Sequence, residues 1–288
     1  LSVKIIDGLA VADDVKKQVK KAVDKLKSQG IQASLATILV GDDPSSATYI
    51  KNKQKAAEEV GITTYDHKLT SSVSQRELID LVNLLNEDEK IHGILVQLPL
   101  PSNIDKFAIT NTINPAKDVD GLTPFNAGLL LSGSAYLKPC TPAGIIQMLE
   151  FYNIDVSGMD AIIVNRSNLV GKPLAMLLLE RNATVTICHS KTKDLKGKLR
   201  QADVVITAVG NREIFTLTSD MIKPGAIVID VGISRDERKI TGDVDFEGVR
   251  KKASWITPVP GGVGPMTVSM LLKNTVSAAS KRKVSDNI

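Results

Sequence analysis

The chain has 288 residues, 43% of them hydrophobic, which is enough for two domains that each bury a core; its two cysteines, Cys140 and Cys188, exclude a disulfide framework and show no metal-ligand spacing. Lys and Arg total 36 against 32 Asp and Glu, for a net charge of +4, and aromatic residues make up only 3%, too few to line a nucleic-acid-reading surface. No apolar run approaches bilayer-spanning length and the first residues carry no apolar signal core, so a cytoplasmic protein that binds neither membrane nor nucleic acid is expected.

Lys16, Lys17, Lys20, Lys21, Lys25 and Lys27 interleave with Val11, Val15, Val19, Ala22, Val23 and Leu26 at helical spacing. That pattern makes the lysines the solvated face of an amphipathic helix, not a polyanion site. Residues 34–40 and 93–97 are short, largely apolar runs that predict buried strands between amphipathic helices. One helix is predicted to begin near Ser46 and to end at Gly61; the next opens with a Ser74/Glu77 capping box ahead of the Leu78, Leu81, Val82 and Leu85 stripe. A turn-rich connection follows and reaches Pro139-Cys140-Thr141-Pro142, where a domain boundary is predicted. From Asp160 the rhythm restarts with strands at 161–164, 184–188, 204–208 and 226–231 and helices at 172–181 and 195–201. This succession is that of a doubly wound parallel sheet. A Gly- and Pro-dense stretch at 258–265 leads into a closing helix.

The expected architecture is therefore α/β with two domains and a cleft between them. Residues 1–138 form an N-terminal catalytic domain, and residues 139–265 form a Rossmann-like dinucleotide-binding domain. A C-terminal helix within 266–288 packs back on the first domain, with the charged and polar residues 280–288 expected to be disordered.

Asn165-Arg166-Ser167-Asn168-Leu169-Val170-Gly171-Lys172-Pro173 falls between a predicted strand and a predicted helix, where a tight turn offers backbone N–H groups and a helix N-terminus to a phosphate. Asn165 and Ser167 stand where the usual fingerprint has glycines. An NAD site places an acid at the end of the following strand, to bond the ribose; this chain has Cys188-His189-Ser190 there instead. With no carboxylate to repel a phosphate, and with Arg166 and Ser190 able to donate to one, NADP is the expected cofactor.

Tyr49 and Lys53 are four apart on a predicted helix, so they share a face. From spacing alone, Lys53 is better read as one of three exposed lysines in Lys51-Asn52-Lys53-Gln54-Lys55, and Tyr49 as a boundary packer. Gln97 closes an apolar strand, a place from which a polar side chain faces a ligand crevice. Asp118 and Asp120, ahead of Gly121, are equally readable as turn formers. His67, His92 and His189 are scattered, with no metal-ligand spacing.

The combination is more specific than its parts. Residues 41–53 (Gly-Asp-Asp-Pro-Ser-Ser-Ala-Thr-Tyr-Ile-Lys-Asn-Lys), 93–101 (Gly-Ile-Leu-Val-Gln-Leu-Pro-Leu-Pro), Lys117-Asp118-Val119-Asp120-Gly121, Pro139-Cys140-Thr141-Pro142, Val170-Gly171-Lys172-Pro173, Cys188-His189-Ser190 and 258–267 (Pro-Val-Pro-Gly-Gly-Val-Gly-Pro-Met-Thr) closely resemble, in order, the blocks of the bifunctional methylenetetrahydrofolate dehydrogenase/cyclohydrolase family. Asn165 departs from that pattern, which usually has Gly before Arg-Ser.

The resemblance implies a folate substrate, NADP as cofactor and a homodimer through the cofactor domain. It implies Lys53 as catalytic acid/base, Gln97 as its orienting partner, Tyr49 as a stacking and hydrogen-bonding contact to the folate, and Asp120 as acceptor for the pterin N–H donors. Pro260, Gly261 and Gly262 would border the substrate, while Asn165, Arg166, Ser167, Ser190, Gly232 and Ile233 would contact the cofactor. Core packing is the competing account of Ile233. Two alternatives remain on the sequence: another two-domain NADP oxidoreductase, and a cofactor-binding protein without catalysis.

Overall fold

The computed structural model describes residues 3–236 and 239–285. The chain divides into two compact units, one formed by 14–140 together with the chain from Val268 onward, the other by the chain up to Asp13 together with 141–267. Among the described residues no helix is long and apolar enough to cross a membrane.

After a short strand β1 (Lys4–Ile5) the chain enters α1 (Gly8–Ser28), whose Val11, Val15, Val19, Val23 and Leu26 are buried while the lysines face outward. The first unit then alternates β2 (Ser34–Val40), α2 (Pro44–Val60), β3 (Thr63–Leu69), α3 (Gln75–Glu87) and β4 (Gly93–Val96), followed by α4 (Lys106–Thr112) and α5 (Pro124–Leu131). Its three strands form a parallel sheet in the order β3-β2-β4. All seven β2 residues are buried, as a central strand covered on both faces requires. Gly61 ends α2 in the left-handed conformation (φ 84°), and Ser74 and Glu77 make the reciprocal capping box of α3.

Strand β3 had no counterpart among the predicted elements. Thr63-Thr64-Tyr65-Asp66-His67-Lys68-Leu69 carries little apolar signal because it is an edge strand; it pairs with β2 without a break from Ser34↔Thr63 to Val40↔Leu69.

In the second unit α6 (Cys140–Phe151) leads into β5 (Asp160–Val164), α7 (Gly171–Leu179), β6 (Thr184–Cys188), α8 (Leu195–Leu199), β7 (Val204–Thr207), β8 (Ile227–Asp230), a small antiparallel hairpin of β9 (Ser234–Asp236) and β10 (Lys239–Thr241), α9 (Phe246–Val249) and β11 (Trp255–Ile256). The principal sheet is parallel throughout, in the order β1-β11-β8-β7-β5-β6. Since β6 and β7 flank β5 on opposite sides, the winding reverses there, and that reversal defines the crevice in which a doubly wound sheet binds its ligand. The apolar runs of β5, β7 and β8 are buried, with Leu199, Leu217, Ile222, Val249 and Ile256 in the adjoining core.

Two boundary expectations need correction. The first residues, assigned by sequence to the N-terminal domain, instead extend the second unit's sheet, because Lys4 and Ile5 pair with Trp255 and Ile256. The closing helix α10 (Val263–Ser285) starts three residues earlier than expected, and residues 280–285 are helical, not disordered. Buried Leu272, Val276 and Ala279 anchor this last stretch, and Lys281 caps the ring of Tyr136 at 3.5 Å. Residues 286–288 lie outside the described residues.

Candidate active site

Lys53 projects from α2 one turn beyond Tyr49. The helix is launched by Asp43, whose carboxylate accepts the Ser46 amide at 2.7 Å. Only 5% of Lys53 is exposed, so it is not the surface lysine that its neighbours Lys51 and Lys55 suggest. Its Nζ donates to Gln97 Oε1 at 3.1 Å and lies 4.8 Å from the centroid of the Tyr49 ring. Gln97 follows β4 directly, and its Nε2 donates to the Leu98 carbonyl at 2.7 Å, which leaves Oε1 facing the lysine.

Asp120 completes the group. Burial of Lys53 lowers its pKa below the ordinary lysine value, while the nearby Asp120 opposes that shift by favouring the ammonium. Asp120 keeps some exposed surface, yet desolvation of its carboxyl dominates over the attraction of Lys53 and raises it above the usual carboxylate range. Cys140 Sγ lies 3.9 Å from Asp120 Oδ1, and burial raises this thiol well above its usual value, so it remains protonated at neutral pH.

The segment bearing Asp120 is held by its neighbours. Lys117, buried, donates from Nζ to the carbonyls of Leu85, Asn86 and Asp88 at 2.6–2.9 Å, in the last turn and C-cap of α3. Asp118 accepts from the amides of Leu122 and Thr123 and from Asn126 Nδ2. Asp118 is thus a loop organiser, whereas Asp120 is the acid whose charge acts on Lys53. Val119 packs on Gly93, where a Cβ would come within 2.6 Å of the valine side chain.

In the second unit, Asn165, Ser190, Gly232 and Pro260 all follow the carboxyl ends of parallel strands, β5, β6, β8 and β11 respectively. Asn165 sits at the reversal of the winding. Its Nδ2 donates to the Ala208 carbonyl beyond β7 at 2.6 Å, while its Oδ1 accepts from the amides of Ser167 and Gly171 at 2.8 and 3.0 Å. A residue that departs from the usual glycine therefore stitches the turn shut with its side chain. Gly171 is required by that turn, since a Cβ there would meet the Asn165 carbonyl at 2.1 Å. Arg166 and Ser190 are exposed, and the N-cap of α7, Val170, supplies no side-chain cap.

Gly232 has a packing reason of its own, because a Cβ would lie 2.2 Å from the Asp243 carboxylate. Ile233 is 50% exposed, which removes the core-packing account of it. Gly261 and Gly262 serve another chain segment: the Gly8 amide donates to the Gly261 carbonyl at 2.9 Å, and a Cβ on Gly8 would strike the Gly262 carbonyl.

A family model described as tetrahydrofolate dehydrogenase/cyclohydrolase, catalytic domain, matches residues 6–120, and its NAD(P)-binding counterpart matches residues 139–283. The chain belongs to the tetrahydrofolate dehydrogenase/cyclohydrolase family. It is 59% identical over 275 residues to a bifunctional protein FolD of Nitrosopumilus maritimus, covering 96% of each chain. Among solved structures it resembles the bifunctional FolD of Campylobacter jejuni, with a TM-score of 0.95 at 51% identity over 98% of this chain and 100% of that one. The Trypanosoma brucei FolD, solved with NADP cofactor and inhibitor, matches with a TM-score of 0.92 at 39% identity over 99% of both chains.

For a tetrahydrofolate dehydrogenase/cyclohydrolase, the second unit offers what NADP needs. A tight turn runs into the start of α7, the turn allows close backbone approach, two exposed donors are present at Arg166 and Ser190, and the residues directly after β6, His189 and Ser190, are not acidic. Sequence reasoning missed two groups. Asp243 binds the amides of Val209 and Gly210 at 2.7 and 2.9 Å and so shapes the loop after β7, and Asn274, on α10, bonds the backbone beside Asp120. Asp245 and Phe246 follow Asp243 closely in a turn-like run, so nothing marked it out; Asn274 lies in a helix whose polar and apolar residues follow no one-sided pattern, so nothing sets it apart from the other polar residues there.

Proposed function

We propose that the Tyr49, Lys53, Gln97 and Asp120 group carries both steps of a bifunctional enzyme: NADP-dependent oxidation of 5,10-methylenetetrahydrofolate to the methenyl compound, and hydrolysis of that compound to 10-formyltetrahydrofolate. The observation that carries this reading is the burial of Lys53 against Gln97, which gives a lysine with a lowered pKa and a fixed direction. When bound, NADP supplies the acceptor for the hydride that leaves the methylene carbon. Arg166 and Ser190 bind its 2′-phosphate, and the turn at Asn165, Ser167 and Gly171 holds its pyrophosphate, flanked by Gly232 and Ile233.

Asp120 holds the pterin through its N–H donors, and Tyr49 stacks on the folate, so that the one-carbon unit is presented to Lys53. In the hydrolytic step a water forms a C–O bond to the methenyl carbon and the Lys53 amine takes a proton from that water. The carbon–N5 bond then breaks, N5 gains a proton, the hydroxyl becomes the formyl carbonyl, and one proton is released overall. Gln97 keeps Nζ aimed at this water.

The protein acts in the cytoplasm as a homodimer. Among the described residues strand β6 is an open edge of its sheet, pairing with β5 alone, and exposes Thr184, Thr186 and Ile187, with Leu179 exposed nearby in sequence. Such an edge is a ready surface for a second copy; sedimentation of Ile187→Lys as a dimer would count against this edge.

The test of function is the initial rate of NADPH formation from methylenetetrahydrofolate, with NAD in a parallel assay and with hydrolysis of the methenyl compound followed separately. Both activities, with NADP preferred, are expected. Absence of both activities would leave a cofactor-binding protein, and equal efficiency with NAD would remove the role given to Arg166 and Ser190.

A further inference from the structure

The residues that precede Asp120 hold it from one side: Lys117 is tied to the carbonyls of the last turn and C-cap of α3, and Asp118 is tied to the following turn. On the other side the chain needs a second fastening, and it comes from far away in sequence. Asn274 is 4% exposed, and its side-chain Nδ2 donates to the Val119 carbonyl and to the Lys138 carbonyl, each at 2.8 Å. An amide nitrogen has two hydrogens, so both are used. The same Nδ2 lies 3.7 Å from Cys140 Sγ.

These two carbonyls are well chosen. Val119 immediately precedes Asp120, and Lys138 precedes the Pro139-Cys140 pair that places a thiol beside the Asp120 carboxylate. The two strands of backbone also touch directly, since a Cβ on Gly121 would be 2.7 Å from both the Lys138 carbonyl carbon and the Pro139 nitrogen. Gly121 allows the approach, and Asn274 fastens it.

We propose that Asn274 is a positioning residue for the folate reaction, its side-chain amide clamping the Val119 and Lys138 carbonyls so that Asp120 is fixed toward Lys53 and the pterin. The proposal rests on the role given to Asp120 above. Loss of the clamp takes the Asn274 amide from both carbonyls, leaving the Val119 carbonyl with only the weaker Cys140 thiol bond at 3.4 Å, and frees the Asp120 segment to shift. Because Asp120 favours the ammonium form of Lys53, a displaced Asp120 also moves the titration of Lys53 to lower pH.

The experiment measures Asn274→Ala, Asn274→Ser and Asp120→Asn as full-length proteins, with KM and kcat for methylenetetrahydrofolate, KM for NADP, and the pH profile of methenyl hydrolysis. For Asn274→Ala the folate KM should rise about tenfold, with a smaller change in kcat, an unchanged NADP KM and a hydrolysis limb moved to lower pH. Asn274→Ser keeps one donor and should fall between this variant and the parent; it carries the test if Asn274→Ala does not fold. A parental folate KM and pH limb, or equal losses for folate and NADP, would overturn the proposal and leave Asn274 a purely structural residue. If Asp120→Asn itself retains the parental folate KM, the role of Asp120 fails instead.

Discussion

The folate end and the dinucleotide end of this protein solve recognition in opposite ways. At the folate end, ionisable side chains are withdrawn from water: Lys53 and Asp120 crowd together, burial moves each toward its neutral form, and Gln97 and Tyr49 fix the lysine. At the dinucleotide end the charged and polar side chains, Arg166 and Ser190, stay exposed, and the shape is made by backbone drawn into place by Asn165 and by glycines that admit close approach. The difference follows from the tasks. Proton transfer near neutral pH needs a shifted pKa, which only desolvation and neighbouring charge supply. Holding a diphosphate needs amides and cations that never change charge.

The largest effect that would break this contrast is at Lys53. Lys53→Met removes the proposed proton carrier and should lower methenyl hydrolysis by about 100-fold or more, with a smaller loss of dehydrogenase rate. Parallel assays of the two activities check this, and equal modest losses in both would mean that Lys53 only fills space. Next comes Gly171→Ala, which forces a methyl into the Asn165 carbonyl; overpacking of this kind should cost about 1–3 kcal/mol in thermal or urea unfolding and weaken NADP binding, leaving the folate end intact.

Arg166→Ala should raise the KM for NADP about tenfold and leave the KM for NAD nearly unchanged, as expected for one exposed charge-assisted contact to the 2′-phosphate. A similar rise for both cofactors would place Arg166 on the shared pyrophosphate. The smallest effect is a displacement in pH. The lowered pKa of Lys53 means that its free amine is present at lower pH than in an ordinary lysine, so hydrolysis should climb with pH and level off below the ordinary value of 10.5. Asp120→Asn removes a charge that favours the ammonium, so the remaining activity should show this limb at still lower pH; a limb moved upward would contradict the arrangement.

The sequence made some of this legible and hid the rest for identifiable reasons. The buried strand β2, the capping box at Ser74 and the left-handed Gly61 are local features, written in periodicity and in one or two residue types. Strand β3 was missed because an edge strand with one wet face needs no apolar run. The allegiance of β1 was missed because two residues carry no signal of which sheet they will join. Lys53 illustrates the limit best: spacing alone placed it among exposed lysines, and only the resemblance to a family singled it out before its burial was seen.

By itself the sequence determined the alternation of elements, the doubly wound character of the second half, the lack of an acid after β6 and the family to which the chain belongs. Those properties depend on residue type and on neighbours within a turn or two of chain. Tertiary structure alone decided that Asn165 closes the dinucleotide turn with its side chain, that Gly8 rests on Gly261 and Gly262, and that Asn274 clamps the backbone beside Asp120. The Asn165 bond to Ala208 and the contacts of Gly8 and Asn274 join residues distant in sequence; like burial that shifts a pKa, they exist only once the chain has brought those residues together, and no local pattern records them.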